Sequence, residues 1–290
     1  KQNVSCPLSE LSIPVPWGQL RGRVWGPDDG RPVLCLHGWS DNCGTFNTLI
    51  PLLPKECRYV AVDLAGHGLS SHRPPGVFYT PPTYVMDIRR VVDSLQWSRF
   101  SIIAHSMGGN IAGTFSSLYP EMVEAVVLLD SYGFFPIDQL RRRSREVWHL
   151  HVVFNRRPNV HKSFPVSFRL SAANPSLSEQ SVRILLERGL VQVEGGVAFT
   201  RDFRINLKNI IRMTLEQSLQ LHSGIKAPML VILAEDGFEK LFVGEGLQGP
   251  KQRQYFLSVF QHKVVKIPGD HHIHLNNPEV VAPLVSDFLM

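Results

Sequence analysis

The sequence predicts an α/β protein: a mostly parallel central sheet flanked by helices, with a helical cap inserted late in the sheet. Three observations carry this. Short apolar runs alternate with segments of helical spacing, the pattern of strand–helix–strand units. Runs such as VLCL, AVVLL and MLVIL are apolar at every position, as strands buried on both faces must be. The alternation then lapses between about Ser131 and His222, where helical patterns, an Arg cluster at Arg141–Arg145 and several Phe take over.

Taken in order, Leu11–Val15 and Gln19–Trp25 read as a hairpin through Trp17-Gly18. Pro32–Leu36 is a strand ending in His37-Gly38, and Tyr59–Asp63 a strand ending in Ala65-Gly66-His67-Gly68. Within Pro82–Leu95 the apolar side chains Tyr84, Val85, Ile88, Val91, Val92 and Leu95 recur at helical spacing. Phe100–Ala104 is a strand, Met107–Leu118 a helix, and Glu124–Asp130 a buried strand. Met229–Leu233 and Lys263–Ile267 are the last strands, and Pro278–Leu289 is a closing helix that opens on proline. The domain reading is a core of residues 1–135 and 223–290 with residues 136–222 as the helical cap.

The 290 residues are 43% hydrophobic and 19% charged, which suits a globular protein with a sizeable core and argues against disorder. No apolar run reaches the ~18 residues of a membrane span, and the start, KQNVSCPLSE, has no apolar signal-peptide core. The net charge of +5 is too mild to point to nucleic acid. Residues 136–222 hold 14 Lys+Arg against 7 Asp+Glu, so the remainder is near −2 and the inserted stretch has its own charge character. Of the four cysteines, Cys6, Cys35, Cys43 and Cys57, none forms a CxxC pair. Free thiols in a reducing, cytoplasmic setting are expected, with peroxisome or vesicle as alternatives.

The chemistry centres on Ala104-His105-Ser106-Met107-Gly108-Gly109, between a strand and a helix. A serine on so sharp a turn needs small residues two positions to either side, here Ala104 and Gly108. Ser106 is the expected nucleophile; a serine that only N-caps its helix is the plain alternative. A tetrahedral oxyanion needs two backbone N–H donors. Met107, after the serine, offers one, and Trp39, after His37-Gly38, the other. The general base should be a late histidine, and Gly269-Asp270-His271-His272-Ile273-His274 offers three. A metal reading of these three is weak, because no carboxylate or cysteine spacing accompanies them. The acid that orients the base is Asp130, ending AVVLL, or Asp236, following MLVIL. Both stand where the carboxyl edge of the sheet is expected.

LHGW, DLAGHGLS, AHSMGG, LLD and GDHHIHLNNP, in this order, resemble the α/β-hydrolase fold superfamily over nearly the whole chain. Within it the chain is similar to the serine hydrolase-like protein family, through VPWG, PVLCLHGW, LIPLLP, GHGLSSH, IRRVV and SLYPEMV. The resemblance implies His271 as the base, seven residues before Pro278. For the acid it implies a loop pattern that Ala234-Glu235-Asp236-Gly237 meets only after a one-residue slip, or else a residue after the sixth strand, Asp130. The inserted stretch then resembles the cap that roofs such sites.

The expected activity is that of a serine hydrolase, cleaving an ester-type bond of a small, largely apolar substrate through an acyl-enzyme, without metal or organic cofactor. His37, Trp39, His105, Phe134, Phe135, Trp148, Phe154, Phe164, Phe168 and His272 are the candidate pocket residues. A monomer or weak homodimer acting on a small molecule, with no nucleic-acid partner, is expected. A ligand receptor on the same scaffold and a cofactor-free oxygenase are the alternatives, since fold alone does not prove activity.

Overall fold

The structure, a computed structural model, describes residues 8–134, 176–206, 213–238, 240 and 262–290. Its chain opens on the antiparallel hairpin β1 (Leu8–Val15) and β2 (Gly18–Trp25), followed by β3 (Arg31–Leu36) and β4 (Cys57–Val62). Helix α1 (Pro81–Ser94) is started by Pro81 and Pro82 and by a reciprocal Thr80–Thr83 capping box. Then come β5 (Phe100–His105), α2 (Met107–Leu118) and β6 (Val123–Leu129). Further on lie α3 (Glu179–Gly189), β7 (Leu190–Val193), β8 (Gly196–Phe199) and α4 (Leu215–His222). Strands β9 (Met229–Asp236) and β10 (Lys263–Asp270) and helices α5 (Ile273–Asn276) and α6 (Pro278–Leu289) complete it.

Eight strands form one sheet in the order β1-β2-β4-β3-β5-β6-β9-β10. Strand β2 runs antiparallel to β1 and β4, and every other pairing is parallel. Strand periodicity divides the core in two. Leu34, Leu36, Ile102, Ala104, Val126, Leu128, Val231 and Leu233 face one layer with Ile88, Val91 and Val92 of α1 and Ile111 and Phe115 of α2. Val33, Cys35, Ile103, Val127, Leu129, Leu230 and Ile232 face the other, with Val281, Val285 and Leu289 of α6. The uninterrupted apolar runs are thus explained: every residue has a helix layer above or below it. Cys35, Cys43 and Cys57 are buried free thiols. Among the described residues no helix is long and apolar enough to cross a membrane.

The stretch expected to be helical also contains the two-stranded sheet β7–β8. Its signal is present in Val191-Gln192-Val193-Glu194-Gly195-Gly196-Val197: alternating side chains around a two-residue turn, Gly195 taking φ 81°. Polar contacts tie helix α3 to the core, among them those of Asn42 and Arg188. Asn42 Nδ2 donates to Leu185 O at 2.9 Å. The buried Arg188 guanidinium donates from Nε to Asp63 Oδ2 at 2.9 Å and from Nη1 to Glu10 at 2.7 Å.

Candidate active site

Ser106 joins β5 to α2 with φ 51° and ψ −116°, backbone angles that non-glycine residues rarely adopt. The turn is held from both sides. Ser106 N donates to Leu129 O at 3.2 Å, and Gly109 N donates back to Ser106 O at 2.9 Å. Gly108 has no room for a side chain, since a Cβ there would sit 2.3 Å from Leu36 O. That close approach is the reason the turn requires glycine at this position.

His271 follows β10 directly. Its Nε2 lies 3.0 Å from Ser106 Oγ and its Nδ1 lies 2.6 Å from Asp130 Oδ2. Asp130 is buried, in a left-handed conformation (φ 46°), at the end of β6. Two backbone donors fix its carboxylate: Ala234 N to Oδ1 at 2.9 Å and Phe238 N to Oδ2 at 2.5 Å. Gly237 makes this loop possible, because a Cβ there would meet Asp130 Oδ2 at 2.2 Å. Asp236, the other candidate acid, is exposed and paired with Lys240, one helical turn on. The structure therefore brings Ser106, His271 and Asp130 into one hydrogen-bonded line and leaves Asp236 on the surface.

Met107 is the first residue of α2, where N–H groups have no intrahelical partner and the helix dipole favours negative charge. Gly38 packs against the turn, a Cβ there meeting Ser106 Cβ at 3.2 Å, which sets the following residue, Trp39, beside the serine. The Trp39 indole is 55% exposed, with Nε1 donating to Ile205 O at 2.9 Å.

Other expected pocket residues are placed differently. His37 is fully buried: Nδ1–H donates to Gly38 O at 2.7 Å and Nε2 accepts from Leu64 N at 2.9 Å, so no ring nitrogen remains for a substrate. Its burial pushes the imidazole down to about 4, keeping it neutral. Phe134 is buried with its ring centroid 4.1 Å from that of His222, a packing role. Phe135, Trp148, Phe154, Phe164 and Phe168 lie outside the described residues.

His105 lies behind His271 and holds it, with Nε2–H donating to His271 O at 2.8 Å. His272 and His274 surround the same ring, at centroid distances of 5.1 and 4.2 Å from it. Burial, first, and the neighbouring imidazoles, second, hold His105 well below the usual histidine range. The sequence offers no carboxylate spacing for these histidines, but the fold brings a carboxylate beside them. Asp41, 230 residues before His271, stands among them with its side chain buried, and burial pushes its carboxyl up to about 7. Asp41 had no role in the sequence reading, although it sits two residues after Trp39.

Comparisons with known proteins bear on the fold and the family. A family model described as the alpha/beta hydrolase fold matches residues 31–149. The chain is 54% identical to a serine hydrolase-like protein of Danio rerio, over 97% of this chain and 88% of that one. It is 38% identical to serine hydrolase-like protein 2 of Homo sapiens, over 97% of this chain and 94% of that one. A solved structure of a hypothetical protein from Pseudomonas aeruginosa superposes with TM-score 0.84 at 29% identity, over 97% of both chains. With a Ser–His–Asp line at the carboxyl edge of the sheet and relatives that match almost end to end, this chain belongs to the serine hydrolase-like family of the α/β-hydrolase fold.

Proposed function

We propose that this hydrolase cleaves an ester-type bond of a small, largely apolar substrate through a covalent acyl-enzyme. The observation that carries the reading is the continuous chain Asp130 Oδ2, His271 Nδ1, His271 Nε2, Ser106 Oγ, at 2.6 and 3.0 Å. Ser106 Oγ attacks the carbonyl carbon while His271 Nε2 takes its proton. Asp130, unable to turn because Ala234 N and Phe238 N hold it, fixes the His271 tautomer with hydrogen on Nδ1 and stabilises the imidazolium. The N–H groups of Met107 and Trp39 hold the developing oxyanion. His271 then protonates the leaving group and activates a water that releases the acid. Residues 136–222 serve as the cap, anchored through Arg188, and the exposed Trp39 indole supplies an apolar wall.

The test is intact-mass labelling with a fluorophosphonate. A single adduct on the parent, absent in Ser106→Ala, is the expected result. A folded parent that takes no adduct moves the protein to ligand binding on a hydrolase scaffold.

A further inference from the structure

Beside His271 three side chains, Asp41, His105 and His272, bring potential ligand atoms together. His105 Nε2 contacts a carbonyl, which can only accept, so its hydrogen is on Nε2 and Nδ1 is a bare lone pair in the neutral ring. That Nδ1 has no hydrogen-bond partner and lies 3.9 Å from Asp41 Oδ2, which has none either. His272 Nε2 stands 3.9 Å from the same carboxylate oxygen, and His272 Nδ1 is also without a partner. The three ligand atoms lie within 4.8 Å of one another. Buried polar atoms are almost always satisfied, and the two partnerless acceptors, His105 Nδ1 and Asp41 Oδ2, with His272 Nε2 beside them, call for a cation or a donor at that point.

We propose that Asp41, His105 and His272 form a binding site for a divalent first-row transition-metal ion of the zinc type. Two imidazoles and one carboxylate are an established donor set for such ions. Zinc bonds of about 2.0–2.2 Å place tetrahedral ligand atoms roughly 3.4 Å apart. The two 3.9 Å spacings need to close by about half an ångström, and the spacing between the two histidines, within 4.8 Å, by up to about 1.4 Å, through side-chain rotation. The required second contact exists as well: His105 donates its other nitrogen to a backbone carbonyl, as metal-bound histidines do. Asp41 also lines a cleft with Ser40, Asn42, Gly68 and Leu185. His274 is not one of the three clustered ligands, and its Nε2 meets Thr45 Oγ1 at 2.9 Å.

An ion here pulls on the two residues that hold and follow His271. Zinc is therefore expected to slow turnover, a consequence that rests on the function proposed above. The deciding measurements use no substrate, so they stand if that function fails. After chelation and dialysis, the whole chain is titrated with Zn2+ and with Co2+. Uptake of one equivalent, with visible Co2+ bands of nitrogen–oxygen ligation, is expected. Asp41→Asn and His272→Gln should each weaken uptake by roughly 100-fold or more, beyond the about 10–100-fold that outer-shell changes cost. Should the variants misfold, imidazole 15N spectra of the parent decide: Zn2+ must move His105 and His272 and leave His37 unmoved. Stoichiometry far below one, uptake unchanged in both variants, or 15N shifts elsewhere overturns the site and leaves water as the group between these atoms.

Discussion

Strands β6 and β9 are neighbours, each has an apolar run (AVVLL, MLVIL), and an aspartate stands at the carboxyl end of each, yet the two carboxylates have opposite lives. Asp130 is buried, bent into a left-handed conformation, and surrounded by Ala234 N, Phe238 N and His271. Asp236 is 66% exposed and meets only Lys240. The loop after β9 serves both: Gly237 turns its backbone over Asp130 and leaves Asp236 outside. A carboxylate becomes a usable partner for an imidazole when backbone donors immobilise it, and not through its position at a strand end.

The largest way to break this contrast is Asp130→Asn. The amide keeps the shape but favours the wrong His271 tautomer, so kcat on a reporter ester should fall about 10⁴-fold with the fold intact. Asp236→Asn measured beside it should stay within about twofold, as surface changes of under ~0.5 kcal/mol do. Equal losses in both would reverse the assignment.

A third carboxylate sharpens the comparison. Asp63 is as buried as Asp130 but is held by a cation, Arg188, together with Cys43 N at 2.8 Å and Leu69 N at 2.9 Å. Removing one partner of a buried ion pair strands the other, so Arg188→Met should cost about 3–5 kcal/mol of stability. Urea unfolding checks this, and a cost under ~1 kcal/mol would mean that Asp63 sheds its charge or gains water.

The smallest effect concerns acid. His37 and His67 are held neutral by burial, at about 4 and about 3, against an ordinary value of 6.5. The unfolded chain takes up protons first, so their stabilising contribution is complete above pH 6.5 and is lost as pH falls toward 4 and then 3. Each accounts for at most a few kcal/mol. The urea midpoint should drop from pH 7 to pH 5, and a flat midpoint contradicts the buried neutral state.

Local pattern was enough to read most of the fold. Met107–Leu118 and Pro278–Leu289 have the bounds that their spacing predicts, and the runs VLCL, AVVLL and MLVIL lie inside β3, β6 and β9. The β7–β8 hairpin escaped because its strands of four residues are short and its surroundings read as helical. The Ser106 turn is local, so it was legible. The choice between Asp130 and Asp236 was not, because it depends on which backbone N–H groups reach each carboxylate. Asp41 was invisible as a companion of the late histidines for the same reason: only the parallel sheet brings the loop after β3 beside the end of β10.

The pairing of β6 with β9 has an evolutionary corollary. Val127 lies against Leu230, so the chain between Asp130 and β9 is a detour whose two ends are pinned by the sheet. The entropy of closing such a loop grows only logarithmically, about 0.6 kcal/mol per doubling of length. Changes of length in the detour that spare Arg188 leave the register of β6 on β9, and with it the seat of Asp130, in place. The inserted stretch can therefore drift by insertion and deletion while the geometry around Asp130 stays inherited, a division of labour written into strand order.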